Sequence, residues 1–198
     1  MSLVSTPPKN ADYEKAKARR QQVKIEVFEH YCHPGPTKCQ LCPETRISTL
    51  TIDRIEGAGN QHRKSLNVDG GWRFYQWLQQ QGYPPGYRVL CINCNHKQHQ
   101  LRSAENRSQT KMSRRVRIFM DRIKQDFFSR LGTSCVLCDC ADLDILTAHH
   151  QNGDGSAHRR RISRGKGGTW FYQAVLKSGD FTGLETRCFS CNVVDDWK

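Results

Sequence analysis

Apolar positions along the chain fall into a few short, repeated patterns separated by polar, glycine-bearing stretches. Residues 13–28 are rich in Lys, Arg and Ala and end in Val23, Val27 and Phe28, while residues 113–131 carry Val116, Phe119, Ile123 and Phe127 at spacings of three and four. Both patterns predict amphipathic helices. Residues 48–52 and 144–148 are short, include β-branched side chains and run into polar turns with glycine, which predicts a strand followed by a loop in each case. Residues 72–81 and 170–177 place Phe74, Trp77 and Leu78, or Phe171 and Val175, at helical spacing. Each is a short helix whose Phe-Tyr pair faces a core, and Trp72, Trp77 and Trp170 read as core residues rather than base-stacking groups.

These patterns occur twice because the chain is internally duplicated. Cys39-Gln40-Leu41-Cys42 recurs as Cys135-Val136-Leu137-Cys138, and Cys91-Ile92-Asn93-Cys94-Asn95 as Cys188-Phe189-Ser190-Cys191-Asn192. Between them Leu50-Thr51 matches Leu146-Thr147, Gly57 and Gly59 match Gly153 and Gly155, and His62-Arg63 matches His158-Arg159. After a one-residue insertion Phe74-Tyr75-Gln76 matches Phe171-Tyr172-Gln173. The expected organisation is a basic, partly disordered extension (1–23), a first module (24–100), a basic linker (101–114) and a second module (115–198). The fold class is small α+β, two tandem zinc modules joined by a basic helical linker.

Composition narrows the chemistry. With 198 residues and only 36% hydrophobic content, each module is small enough to need help beyond its core. Ten cysteines are available to give it. The first residues lack the blocks of a secretory signal and no apolar run approaches membrane-spanning length, so the expectation is an intracellular protein, cytoplasmic or nucleoid-associated, with no membrane partner. In a reducing compartment thiols serve metals more often than disulfides. Eight cysteines form four C-x-x-C pairs, two per module: Cys39, Cys42, Cys91 and Cys94, then Cys135, Cys138, Cys188 and Cys191. Each set suits one tetrahedral structural zinc. Disulfides or a redox C-x-x-C are the competing readings, and Cys32 and Cys140 are incidental thiols.

The run of C-x-x-C, Leu146-Thr147-x-His149-His150, a glycine-bearing turn with His158-Arg159, and Cys188-x-x-Cys191-Asn192 resembles the zinc-containing HNH endonucleases, most closely the phage-type and recombination endonuclease VII members. The resemblance covers both modules. It implies a ββα-metal unit on a treble-clef zinc scaffold and hydrolysis of a nucleic-acid phosphodiester bond. It further implies that His149 and Asn192 hold a catalytic divalent metal, Mg2+ or Mn2+, and that His150 is the general base. Asp196, four residues after Asn192, would complete the metal set if a helix begins at the last knuckle. In the first module Asp53 takes the ligand position but Arg54 takes that of the base, with Asn95 and His99 corresponding to Asn192 and Asp196. A guanidinium stays protonated and cannot act as a base, though it can fork onto a phosphate. The first module is therefore expected to fold on zinc and bind without cutting.

The net charge of +12 points to a polyanionic partner, DNA ahead of RNA. His62, Arg63, His158 and Arg159 are candidate phosphate contacts. Arg160, Arg161, Arg164 and Lys166, expected in a loop, and Arg114 and Arg115 in the linker extend the basic track. The alternative function is a non-catalytic, zinc-dependent nucleic-acid-binding component of a larger ribonucleoprotein or polymerase assembly. One competent site per chain implies nicking of a single strand unless the protein forms a homodimer or a larger nucleoprotein complex.

Overall fold

In the computed structural model the described residues are 11–57, 59–68, 70–105, 107 and 110–194. The expected disorder of the first ten residues lies outside them, as does Asp196. The chain is α+β and divides into two compact units, Met1–Leu90 and Cys91–Lys198. No helix among the described residues is long and apolar enough to cross a membrane.

The first unit opens with α1 (Ala11–Cys32), whose Val23, Val27 and Phe28 turn inward and whose body packs on α3. A 3-10 turn (Ile47–Thr49) leads into β1 (Leu50–Arg54), then come α2 (Gly59–Ser65), α3 (Trp72–Gln80) and β2 (Tyr87–Cys91), which pairs with β1. Leu50, Phe74, Leu78, Val89 and Leu90 fill the core. Phe28, Leu78, Val89 and Leu90 have no exposed surface. Burying a side chain of this kind contributes roughly 1.5–3 kcal/mol.

The second unit repeats this order after two helices. α4 (Ile92–Glu105) grows straight out of the Cys91-x-x-Cys94 knuckle, and α5 (Lys111–Leu131) is started by Thr110, whose hydroxyl accepts from the Ser113 amide at 3.2 Å. A second 3-10 turn (Leu143–Ile145) precedes β3 (Leu146–His150), followed by α6 (Gly155–Ser163), α7 (Thr169–Ser178), β4 (Leu184–Cys188) and the four-residue α8 (Phe189–Asn192). β3 and β4 are antiparallel, with Leu146 opposite Cys188 and His150 opposite Leu184. α5 and α6 pack on α7, and α8 lies against both strands. Phe127, Phe128, Tyr172, Val175 and Leu146 form the centre, with Phe127 stacked on Tyr172 at 4.3 Å between centroids. The helix break at Gly179 needs a left-handed residue (φ 71°), and its amide closes on the Val175 carbonyl.

Four expectations change. Each strand starts two residues later than its pattern suggested, so both histidines of the His149-His150 pair belong to β3 itself. The stretches holding His62-Arg63 and His158-Arg159 are the helices α2 and α6 rather than loops, and the arginine run 159–161 is helical. The apolar stripe of α5 is buried only toward its C-terminus: Phe127 is fully covered, while Val116 and Phe119 are 47% and 52% exposed. Trp170, expected in the core, is 54% exposed.

Candidate active site and metal centres

The cysteines gather as their spacing implied. The sulfurs of Cys39, Cys42, Cys91 and Cys94 lie within 4.8 Å of one another, and so do those of Cys135, Cys138, Cys188 and Cys191. None of the ten cysteines is in a disulfide. Four ligands at about 2.3 Å around one tetrahedral ion sit roughly 3.8 Å apart. The Cys138 and Cys188 sulfurs are 3.8 Å apart, so the donor set fits zinc in spacing as well as in kind. Backbone amides support the thiolates: Leu41 donates to Cys39 at 3.5 Å, Cys94 to Cys91 at 3.4 Å and Cys191 to Cys188 at 3.4 Å. At Cys135 burial opposes ionisation, but the amides of Cys188 and Leu137 outweigh it and bring the thiol from 9.0 to about 7. Cys32 and Cys140 stay outside both quartets.

The second quartet fixes the end of β3 against α8. Cys188 closes β4 and caps α8, which carries Asn192 one residue past Cys191. From there Asn192 Oδ1 reaches His149 Nδ1 at 2.8 Å. Two of the expected ligands therefore converge, and two ligands about 2.1 Å from one ion at a right angle would be roughly 3 Å apart. Across the hairpin His149 faces Glu185, whose carboxylate accepts from Gln151 Nε2 at 2.9 Å and also from Arg187. The Gln151 amide first, then Arg187 and the proximity of His149, hold that carboxyl below its ordinary value against the cost of its burial. Glu185 was not singled out from the sequence, because nothing local in Leu184-Glu185-Thr186 signals which residue it will oppose.

His150 is held from the other side. Its Nε2 lies 3.1 Å from His158 Nδ1, and both rings pack on Phe171 at 5.3 and 5.2 Å. His158, expected to face phosphate, is only 8% exposed and points inward from α6. Burial, and then the neighbouring His158, push the His150 imidazole below 6.5. Among the described residues its Nδ1 has no hydrogen-bond partner and no polar side-chain atom is both buried and unpartnered, so that nitrogen meets solvent. Gly155 borders it: a Cβ there would stand 2.8 Å from His150 Nδ1.

The first module is built differently at the matching places. Asp53, 4% exposed on β1, is bound by Arg88 of β2 at 2.9 Å. Aligned on the cysteines, Arg88 corresponds to Glu185, so the pair Asp53/Arg88 stands where the second module has His149/Glu185. Arg54 lies beside it and near Glu56 (3.8 Å). His62 meets the Tyr87 hydroxyl at 3.2 Å and packs edge-on against Trp77 rather than projecting outward. Arg63 follows it on α2. Asn95 and His99 are one turn apart on α4, His99 exposed.

Of the remaining basic candidates, Arg159 flanks Gly155, Arg160 donates to Ser156 Oγ at 2.8 Å, and Arg161 is exposed on α6. Arg164 ends that helix in the left-handed region, and Lys166 sits over the Trp170 ring. Arg114 and Arg115 are exposed on α5. Comparison with protein-family models, curated proteins and solved structures finds no match to this chain.

Proposed function

We propose that the protein is a metal-dependent endonuclease of the HNH type, hydrolysing nucleic-acid phosphodiester bonds through its second module while the first helps to hold the substrate. The observation that carries this reading is the convergence of His149 Nδ1 and Asn192 Oδ1 at 2.8 Å, with His150 next along the strand. The order β3, β4, α8 around a cysteine quartet also supports assignment of the scaffold to the treble-clef, ββα-metal class. His149 and Asn192 would hold the catalytic divalent metal, Mg2+ or Mn2+, which when bound supplies charge to stabilise the phosphate and the leaving oxygen.

The protein's own residues divide the remaining work. His150 takes the proton from water through its open Nδ1, and its lowered proton affinity keeps it neutral near pH 7. His158, bonded to Nε2, fixes the orientation and tautomer of that ring. Glu185 acts on His149 across the hairpin as a positioning residue. In the first module Arg54 cannot serve as a base and Arg88 occupies Asp53, which supports a binding role without cutting.

The decisive comparison is wild type against His150→Ala on duplex, branched and single-stranded DNA, with magnesium or manganese. Cutting by the wild type alone, with binding kept by both, is the expected result. Binding by both and cutting by neither would favour the non-catalytic nucleic-acid-binding protein instead.

A further inference from the structure

Beyond the histidine site, α6 and α7 of the second unit enclose a groove of about 580 Å³ that the proposed chemistry does not use. α7 buries Phe171, Tyr172 and Val175, so the helical period turns Trp170, Gln173 and Lys177 to the opposite, outer face. Trp170 is left 54% exposed there, with Lys166 Nζ 4.5 Å from its ring centroid. Arg164 and Lys177 add two more cations, and no carboxylate among the described residues lines the groove. An exposed indole among cations, with an amide and hydroxyls within the same concavity, matches a group that has a flat π face, polar edges and an attached anion.

We propose that this groove takes an unpaired nucleobase of a single-stranded segment. The base stacks on Trp170, Gln173 offers its amide to the base edge, and the flanking phosphates are met by Arg164, Lys166 and Lys177. The inference rests on the reading that the partner is nucleic acid, and it names the form of nucleic acid. Stacking platforms flanked by cations are the general solution for single strands, since every base has a π face but a paired base does not present it. The size lies within the range of sites that enclose small organic groups. The first module carries Arg73 at the position matching Trp170.

The test uses the full chain, without added magnesium or manganese so that no cutting intervenes, and measures binding of short oligo(dT), of a blunt duplex and of phosphatidylcholine–phosphatidylserine vesicles. Wild type should bind oligo(dT) with quenched indole emission. Trp170→Leu should weaken that binding roughly tenfold and remove most of the quenching, leave duplex binding within about twofold, and keep its zinc and melting temperature. Trp170→Phe should recover most of the affinity. If Trp170→Leu binds oligo(dT) as wild type does, the stacking site is overturned while nucleic-acid binding stands. If wild type binds neither DNA form, the underlying reading fails with it. Loss confined to vesicle binding would overturn the proposal in favour of a lipid surface.

Discussion

Gly155→Ala isolates the proposed role of His150 more cleanly than removing the histidine. Gly155 begins α6 and does not use a left-handed backbone, so alanine suits the local conformation and should, if anything, favour the helix by a few tenths of a kcal/mol. What changes is space. The added Cβ would lie 2.8 Å from His150 Nδ1 and 3.2 Å from Cγ, about 0.6 Å inside the ordinary 3.4 Å contact. The ring must swing away or the helix start must shift, and either movement strains the 3.1 Å bond to His158. The methyl also fills the approach to the nitrogen that meets solvent. A misplacement approaching 1 Å costs on the order of 10²-fold in rate, so a ten- to hundredfold loss of single-turnover cleavage is the expected range. Binding and zinc content should hold. Gly59→Ala supplies the matched control, since its Cβ would meet only the Arg63 side chain at 3.7 Å, an ordinary contact. Wild-type cleavage by folded Gly155→Ala would refute the placement of the base, as would an equal loss in Gly59→Ala.

The partner of His150 gives a second test. His158→Leu should lower the cleavage rate constant far more than it weakens substrate binding, and His158→Asn, which can keep an acceptor near the Nδ1 position, should recover part of it. Equal rates for the two variants would show that His158 only fills space. Lys24 is buried on α1, and burial lowers its pKa from 10.5 to about 8, so the unfolded chain holds this proton more tightly than the folded one. The wild type should therefore gain stability relative to Lys24→Met as pH rises from about 8 to 10.5, and below that window the variant should be ahead by up to roughly 3 kcal/mol at ~1.4 kcal/mol per pKa unit. A stability difference independent of pH would refute this. Metal analysis should find two zinc ions per chain, one for each quartet, and stripping them with a strong chelator should collapse the cooperative melt. An unchanged melt after complete removal would show that the quartets are not structural. In the Cys91–Lys198 unit, Asn93 and Ser190 hold each other through two bonds, the Ser190 amide to Asn93 Oδ1 at 2.9 Å and the Asn93 amide to Ser190 Oγ at 3.3 Å. Asn93→Ala should cost about 1–3 kcal/mol because it takes the acceptor from the buried Ser190 amide, and Ser190→Ala less; denaturant melts check the order.

What the sequence made legible followed from repetition and spacing. A C-x-x-C pair can be recognised without knowing the tertiary path, and two copies of the same pattern located β1 and β3, α3 and α7, and the cysteine sets together. The closeness of His149 and Asn192 was implied by family resemblance and appears in the geometry. Other features depend on tertiary placement. α6 has one inward histidine among arginines and small residues, too little apolar period to distinguish a short helix from a loop, so His158 reads from the sequence as a surface group. Trp170 starts an amphipathic pattern but lies on the face opposite its buried arc, and a large indole next to Phe171 and Tyr172 gives no local sign of facing out. Val116 and Phe119 share a helical face with Phe127, yet the covering layer reaches only the last turns of α5. Glu185 and Arg88 gain their meaning from the residue across the hairpin, which strand register alone decides.

The Asp53–Arg88 pair also constrains how the first module could change. A histidine at position 54 would place a candidate base in the first module, but Asp53 would remain bound to the Arg88 guanidinium. Replacing Arg88 alone would strip a 4%-exposed carboxylate of that partner, at a cost on the order of 3 kcal/mol. Neither single step would give the first module the residue set proposed for the second. If the second module cuts as proposed, building a matching centre in the first would take changes on both strands of its hairpin, at Arg54 on β1 and at Arg88 on β2, and their order decides whether the intermediate is merely inactive or also destabilised.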